Sequence, residues 1–174
     1  MDFVLLADDE TFKEIEGYEK RYISNYGRVY SKKQSGKFLK TQVCKQWGYE
    51  KISFSCDGIK KHIKIHVLVG EAFVGKRTGS LTYDHIDQNK LNNKSTNLRL
   101  ATKREQLLNQ GIRKDNKLGH KFIYSRHEPR WDNHYFEIQI RDENRKIIFN
   151  RCLNKKKYTL EDAVELRDDF LNNS

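Results

Sequence analysis

The chain of 174 residues is poor in the features that staple a protein or carry it through a membrane. Its three cysteines, Cys44, Cys56 and Cys152, lie far apart and none forms a CxxC pair. That argues against both a disulfide framework and a four-cysteine zinc site. There is a single proline, Pro129, and no Gly/Ser-rich tract, so module boundaries must be read from pattern. No apolar run approaches the roughly 18 residues of a membrane span. Nor does a basic start lead into an apolar secretory stretch. With hydrophobic residues at only 36%, the chain can bury small cores rather than one large one. The expectation is a soluble, intracellular protein of one domain or a few small modules, with no membrane and no obligate protein partner.

Charge is what the chain has in excess. Lys and Arg number 34 against 24 Asp and Glu, a formal +10. The excess is unevenly spread. Residues 1–16 hold Asp2, Asp8, Asp9, Glu10, Glu14 and Glu16 against Lys13, and residues 159–174 hold five acids against Arg167. The stretch 17–158 therefore carries +19. A basic body with acidic ends points to a polyanion, held through salt-sensitive phosphate contacts.

From Thr11 to Ile65, Tyr, Ile, Val and Phe alternate with polar residues. Gly17, Gly27, Gly36, Gly48 and Gly58 punctuate the run every nine to twelve residues, as short antiparallel strands joined by turns require. His66–Val74 reads as a short, largely buried helix. Next come a strand at Leu81–Tyr83, an Asn- and Lys-rich loop from Ile86 to Thr96, and a second strand at Asn97–Leu100. Thr102-Lys-Arg-Glu105 matches a capping box, so a helix should run from Lys103 to about Asn109 and stop at Gly111. Beyond a basic connector, Lys121–Ser125, His134–Arg141 and Lys146–Leu153 read as strands, with a turn at Asp142-Glu-Asn144. Thr159 then caps a final helix whose Ala163, Leu166 and Phe170 form one apolar stripe. The boundaries drawn are 8–56, 57–111, a connector at 112–118, and 119–174.

Chemistry concentrates at Asp84-His85, Asn97 and the capped helix carrying Gln106. An Asp at a strand end can ligate a hard divalent cation through oxygen. The adjacent His points to the other side of the strand and can take a proton from water near neutral pH. Phosphodiester cleavage needs both a metal for the charge on the leaving oxygen and a base for the attacking water. A second ligand from the following helix would close the metal site.

Tyr83-Asp-His-Ile-Asp-Gln-Asn-Lys-Leu-Asn-Asn93, followed by Ser95-Thr-Asn-Leu-Arg-Leu-Ala-Thr102, resembles the HNH homing endonucleases of phages and group I introns. Ile65–Val74 is similar to the helix that precedes the motif there. Ile15–Ser31 looks like the small DNA-binding module often fused ahead of it. The resemblance implies an α+β fold with a ββα-metal nuclease core flanked by small antiparallel β-sheet DNA-binding modules. It makes Asp84 a metal ligand, His85 the general base and Asn97 the holder of the loop that orients His85. The third motif position, usually Asn or His, falls on Gln106, with Asn109 one turn on as the fallback ligand. Gln88 stands where the family often has Gly. The implied cofactor is a divalent metal, Mg²⁺ ahead of Mn²⁺, and the implied partner is double-stranded DNA. The implied setting is the cytoplasm of a phage-infected or bacterial cell.

The C-terminal three strands and helix are similar to the DNA-binding domain of plant ethylene-response factors, whose sheet lies in the major groove. Arg126, Arg130, Trp131, Gln139, Arg141, Arg145 and Arg151 are the candidates there, with Arg21, Arg28, Lys32 and Lys33 in the N-terminal module. The leading expectation is a site-specific, metal-dependent DNA endonuclease that nicks one strand as a monomer. The rival is a non-catalytic or degenerate HNH-fold DNA-binding protein, and RNA binding ranks third. His66 reads as a packing residue, and His62, His120, His127 and His134 as surface or DNA-facing. Trp47 and tyrosines 18, 22, 26 and 30 read as core.

Overall fold

The computed structural model describes residues 7–33, 36–56, 59–142 and 144–173. Asp2, Gly58 and Glu143, named above, lie outside them. The chain divides into two compact units, the break falling between Asn109 and Gln110.

The first unit opens with an antiparallel meander of β1 (Phe12–Glu14), β2 (Arg21–Ser24), β3 (Val29–Ser31) and β4 (Lys37–Leu39). A three-stranded sheet follows from β5 (Gln42–Val43), β6 (Glu50–Cys56) and β7 (Ile59–Lys64). The chain then coils into α1 (Ile65–Val69), which widens into a π-turn at Gly70–Val74. A two-stranded ribbon, β8 (Thr82–His85) and β9 (Leu98–Ala101), leads into α2 (Lys103–Asn109). β8 starts one residue later than the sequence reading and runs on through His85. Asn97 closes a 3₁₀ turn at Ser95–Asn97 instead of opening β9.

Alternation explains the packing. Ile52 and Phe54, two apart on β6, turn inward with Ile23 and Val29, and α1 lays Ile65, Leu68 and Val69 on them. Each such side chain contributes on the order of 1.5–3 kcal/mol when fully buried. Ile15 and Leu98 complete one core that draws on both sides of the boundary set at residues 56 and 57. β6 and β7 pair from Lys51–Lys64 to Cys56–Ile59, so that boundary cuts through a single hairpin. The two sequence segments are thus parts of one structural unit.

Two glycines are needed for close approach. Gly27 turns β2 into β3 at φ 89°, and a Cβ there would meet Asn93 Cβ and Ile65 Cγ2 at 3.0 Å. At Gly70 a Cβ would fall 2.4–2.6 Å from the ring of Tyr83.

Trp47 is not core: it is 61% exposed on the turn between β5 and β6. The tyrosines at 18, 22, 26 and 30 are half-buried; Tyr18 packs against the core, whereas Tyr22 and Tyr30, paired across β2 and β3, alternate with Ile23 and Val29 and lie on the other face of the sheet.

The second unit is an antiparallel sheet of β10 (Ile123–Glu128), β11 (Asn133–Arg141) and β12 (Ile147–Asn154), packed on α3 (Leu160–Asn172). Phe136, Ile138 and Ile140 alternate inward on β11. Ala163, fully buried, brings the helix close to them. Phe170 stacks on Phe149 at 4.3 Å. Thr159 and Asp162 form a reciprocal capping box, each side chain bonded to the other's backbone N–H. The first strand begins at Ile123 rather than Lys121. No helix among the described residues is long and apolar enough to cross a membrane.

Gly70→Ala is expected to destabilise the protein by about 1–3 kcal/mol through overpacking against Tyr83. Urea denaturation with an unchanged midpoint would contradict that packing.

Candidate active site

β8 delivers Asp84 and His85 to opposite faces of the ribbon because strand side chains alternate. In register, Asp84 lies opposite Arg99 and His85 opposite Leu98. The Arg99 guanidinium donates to Asp84 Oδ2 at 3.1 and 3.3 Å.

The loop between β8 and β9 is built from amide chemistry. Asn97 Nδ2 donates to Asp87 Oδ1 and to the Asn92 carbonyl, both at 2.8 Å, while its Oδ1 accepts from the Asp87 N–H at 3.1 Å. The amide of Asn92 closes on Asp87 Oδ2 at 2.7 Å. These bonds, led by the one from Asn92, hold the Asp87 carboxyl below its ordinary range. Gln88 sits at φ 65°, the left-handed region that glycine enters freely, which is the physical sense of the family's glycine at this position.

Thr102 and Glu105 form the expected capping box at the start of α2. The helix then sets Gln106 and Asn109, three residues apart on one face, along Thr82 and Asp84, two apart on one face of β8. Gln106 Nε2 donates to Thr82 Oγ1 and, at 3.3 Å, to the Ala101 carbonyl. Asn109 Nδ2 donates to Asp84 Oδ2 at 2.9 Å and to the His85 carbonyl at 2.8 Å. The side chain of α2 that reaches Asp84 is therefore Asn109. Gln106, first choice from the motif spacing, is a turn short.

His85 is 5% exposed. His66 packs against its ring edge-on at 5.0 Å, and the Tyr49 ring lies 6.0 Å away. Burial pushes the His85 pKa down, against the opposing pull of its Asn93 hydrogen bond and the carboxylates of Asp87 and Asp84. The net shift keeps the imidazole neutral at neutral pH. Its Nε2 lies 3.3 Å from Asn93 Oδ1, and Asn93 Nδ2 donates to Glu50 Oε2 at 2.8 Å. His66 is buried with Nδ1 unbonded, and burial, then the neighbouring His85, push its pKa down to about 3. Asn93, Glu50, Tyr49 and Arg99 were not singled out by sequence. Asn93 stood inside the motif, but nothing in the chain's order ties it to Glu50.

Among the proposed DNA contacts, Arg28 is not free beside the tyrosines: its guanidinium makes a two-pronged pair with Glu10. Arg21 lies over the ring of Phe54 at 4.6 Å, and Lys32 over Tyr22 at 4.8 Å. Lys33 is exposed. In the second unit, strand alternation puts Arg126, Gln139 and Arg141 on the sheet face away from α3. Arg141 grips Gln139 Oε1 at 2.9 and 3.1 Å. Arg151 pairs in register with Ile138, so it sits on the helix side with its guanidinium over Phe149. Arg130 and Trp131 occupy an exposed 3₁₀ turn, Pro129–Trp131, and Arg145 the turn after β11. His127 and His134, stacked at 4.4 Å, gather with Asp132 into an exposed cluster, and the bond from His127 holds the Asp132 carboxyl low.

Residues 64–108 match the HNH endonuclease family model and residues 10–55 the NUMOD4 motif, so the first unit carries both an HNH endonuclease domain and a NUMOD4 motif. The chain is similar to the DNA endonuclease I-HmuI of Bacillus phage SP01, at 45% identity over 57% of this chain and 56% of that protein. It is also similar to an uncharacterised HNH endonuclease of Acanthamoeba polyphaga mimivirus, at 33% identity over 54% of this chain and 28% of that one. It thus spans about half of the first relative and about a quarter of the second. A solved structure of DNA binding and cleavage by the HNH homing endonuclease I-HmuI superposes with a TM-score of 0.53 at 42% identity, over 57% of each chain. Residues 119–174 lie outside both matched segments.

His66 makes folding pH-sensitive. Its folded pKa, about 3, lies below the ordinary 6.5, so the unfolded chain binds the proton first. The stability His66 contributes is fully present well above pH 6.5 and is lost as pH falls from there toward 3, by up to about 1.4 kcal/mol per pH unit. His66→Phe keeps a ring without the proton site. Its urea midpoint should fall less between pH 7 and pH 5 than the wild type's, and equal slopes would contradict the buried neutral imidazole.

Proposed function

We propose that the chain is a site-specific, metal-dependent DNA endonuclease of the HNH homing type, hydrolysing phosphodiester bonds and nicking one strand as a monomer. The observation that carries the reading is the convergence of the Asp84 carboxylate and the Asn109 amide beside the buried His85. The likeness to I-HmuI and the +19 charge of residues 17–158 support DNA as the substrate.

The donor set suits a hard divalent cation, Mg²⁺ first. A carboxylate and an amide oxygen are oxygen ligands, and Asp84 and Asn109 would hold such an ion here. To do so Asn109 would turn its Oδ1 toward the ion in place of the NH₂ that now faces Asp84 and the His85 carbonyl. Such an ion, when bound, stabilises the charge developing on the leaving 3′ oxygen. His85, neutral through burial, takes a proton from the water that attacks phosphorus. Arg99, beside Asp84, offers its guanidinium to a phosphate oxygen. Asn97 holds the loop and the strand register beneath these groups. Attack forms a P–O bond as the P–O3′ bond breaks, leaving a 5′ phosphate and a 3′ hydroxyl.

The C-terminal sheet is read as a second duplex-binding surface, with Arg126, Gln139 and Arg141 on its open face. Its likeness to ethylene-response-factor domains rests on architecture alone. The alternative, a degenerate DNA-binding protein, is favoured by Gln106 standing where the motif usually has Asn or His. Asn109 as the helix ligand would remove that ground.

Supercoiled plasmid carrying the cognate site, incubated with protein and Mg²⁺, tests the reading. Wild type should yield open circles. His85→Ala should lose about 10²–10⁴-fold in rate, as for removal of a general base. Asn109→Ala should lose about 10–100-fold, and Gln106→Ala should stay close to wild type. Equal nicking by His85→Ala would overturn the assignment of the base. A collapse confined to Gln106→Ala would overturn that of the ligand.

A further inference from the structure

Asn93 is 3% exposed and wedged between a base and an acid. Glu50, at the start of β6, accepts from Asn93 Nδ2 at 2.8 Å on one oxygen and from the Thr41 hydroxyl on the other. An ionised carboxylate only accepts hydrogen bonds, so Asn93 must turn its NH₂ to Glu50 and its carbonyl oxygen to His85. That oxygen also only accepts, so the ring nitrogen facing it, Nε2 at 3.3 Å, must carry the proton. The lone pair is left on Nδ1. Asn93 Nδ2 also donates to the Leu91 carbonyl at 3.4 Å, which can only accept, so reversing the amide would give up both of its bonds. Gly27 lies against its Cβ.

We infer that Glu50 is a positioning residue for His85: acting through Asn93, it fixes the neutral imidazole in the Nε2–H tautomer and reserves Nδ1 for the attacking water. The inference rests on His85 being the base in the reading above. It also gives the NUMOD4 segment a task besides DNA contact. Glu50, Thr41 and Gly27 belong to residues 10–55, whereas Asn93 and His85 belong to residues 64–108. The base of the nuclease segment is oriented by an acid of the segment ahead of it.

The test combines a spectrum with a rate. In metal-free full-length protein labelled with ¹⁵N-histidine, long-range ¹H–¹⁵N correlations, assigned by comparison with His85→Gln, should show His85 as the Nε2–H tautomer alone. Glu50→Ala and Asn93→Ala should each give a tautomer mixture. Glu50→Gln, whose amide oxygen still accepts from Asn93, should keep the single form. In nicking assays Glu50→Ala should lose about 10–100-fold in kcat with KM for DNA unchanged, and Glu50→Gln should recover most of the loss. An unchanged tautomer in a folded Glu50→Ala or Asn93→Ala overturns the proposal, as does a loss that glutamine fails to restore. Should Glu50→Ala not fold, Asn93→Ala carries the spectral test alone. Wild type that fails to nick, yet shows the tautomer shift in these variants, would sink the endonuclease reading and leave the Glu50 coupling standing.

Discussion

One amide, that of Asn97, binds both ends of the loop between β8 and β9. Its nitrogen is shared between the Asp87 carboxylate and the Asn92 carbonyl, and its oxygen takes the Asp87 N–H. Residues 86–97 are thereby folded back so that Leu98 returns opposite His85 and Arg99 opposite Asp84. The register of that short ribbon sets everything downstream. Ala101 ends β9, Thr102 caps α2, and the helix comes down along β8 with Asn109 at Asp84. A slip of one residue would exchange the faces of Asp84 and His85 and separate the carboxylate from the helix.

The low apolar content is met by distributing burial. One small core joins the meander, the β6–β7 hairpin, α1 and β9, and a second lies between the C-terminal sheet and α3. Because the first core draws on both matched segments, the candidate site inherits its rigidity from outside its own motif. Charge is distributed in the same way. Glu10, from the acidic N-terminal stretch, neutralises Arg28, and the acidic face of α3 sits in the same unit as the sheet carrying Arg126 and Arg141. The positive excess of the middle of the chain is therefore not a count of free cations.

Much of this was legible in the sequence because it is local. The Thr102–Glu105 capping box, the Thr159 cap, the three C-terminal strands and the Asp84-His85 pair depend on residues within a turn or two of one another. The rest is non-local. Gln106 and Asn109 share a helix face, and only the packing of α2 on β8 decides which one meets Asp84. Glu50 reaches Asn93 across 43 residues, through a hairpin that spacing cannot register. Trp47 reads as core in the sequence, yet it rides exposed on a turn where its backbone carbonyl accepts from Lys90. Arg151 looked like its fellow arginines. Its parity with Phe149 and Leu153 puts it on the helix side of the sheet.

The most direct measurement is paramagnetic. Mn²⁺ added at low stoichiometry to ¹⁵N-labelled protein broadens the NMR signals nearest to it. If α2 and β8 form an oxygen-ligated cation site, broadening should centre on the Asp84 backbone and the Asn109 side-chain NH₂, spare the Gln106 NH₂ by comparison, and vanish in Asp84→Asn. Broadening centred on Gln106 and Thr82, or only on His127, Asp132 and His134, would contradict it.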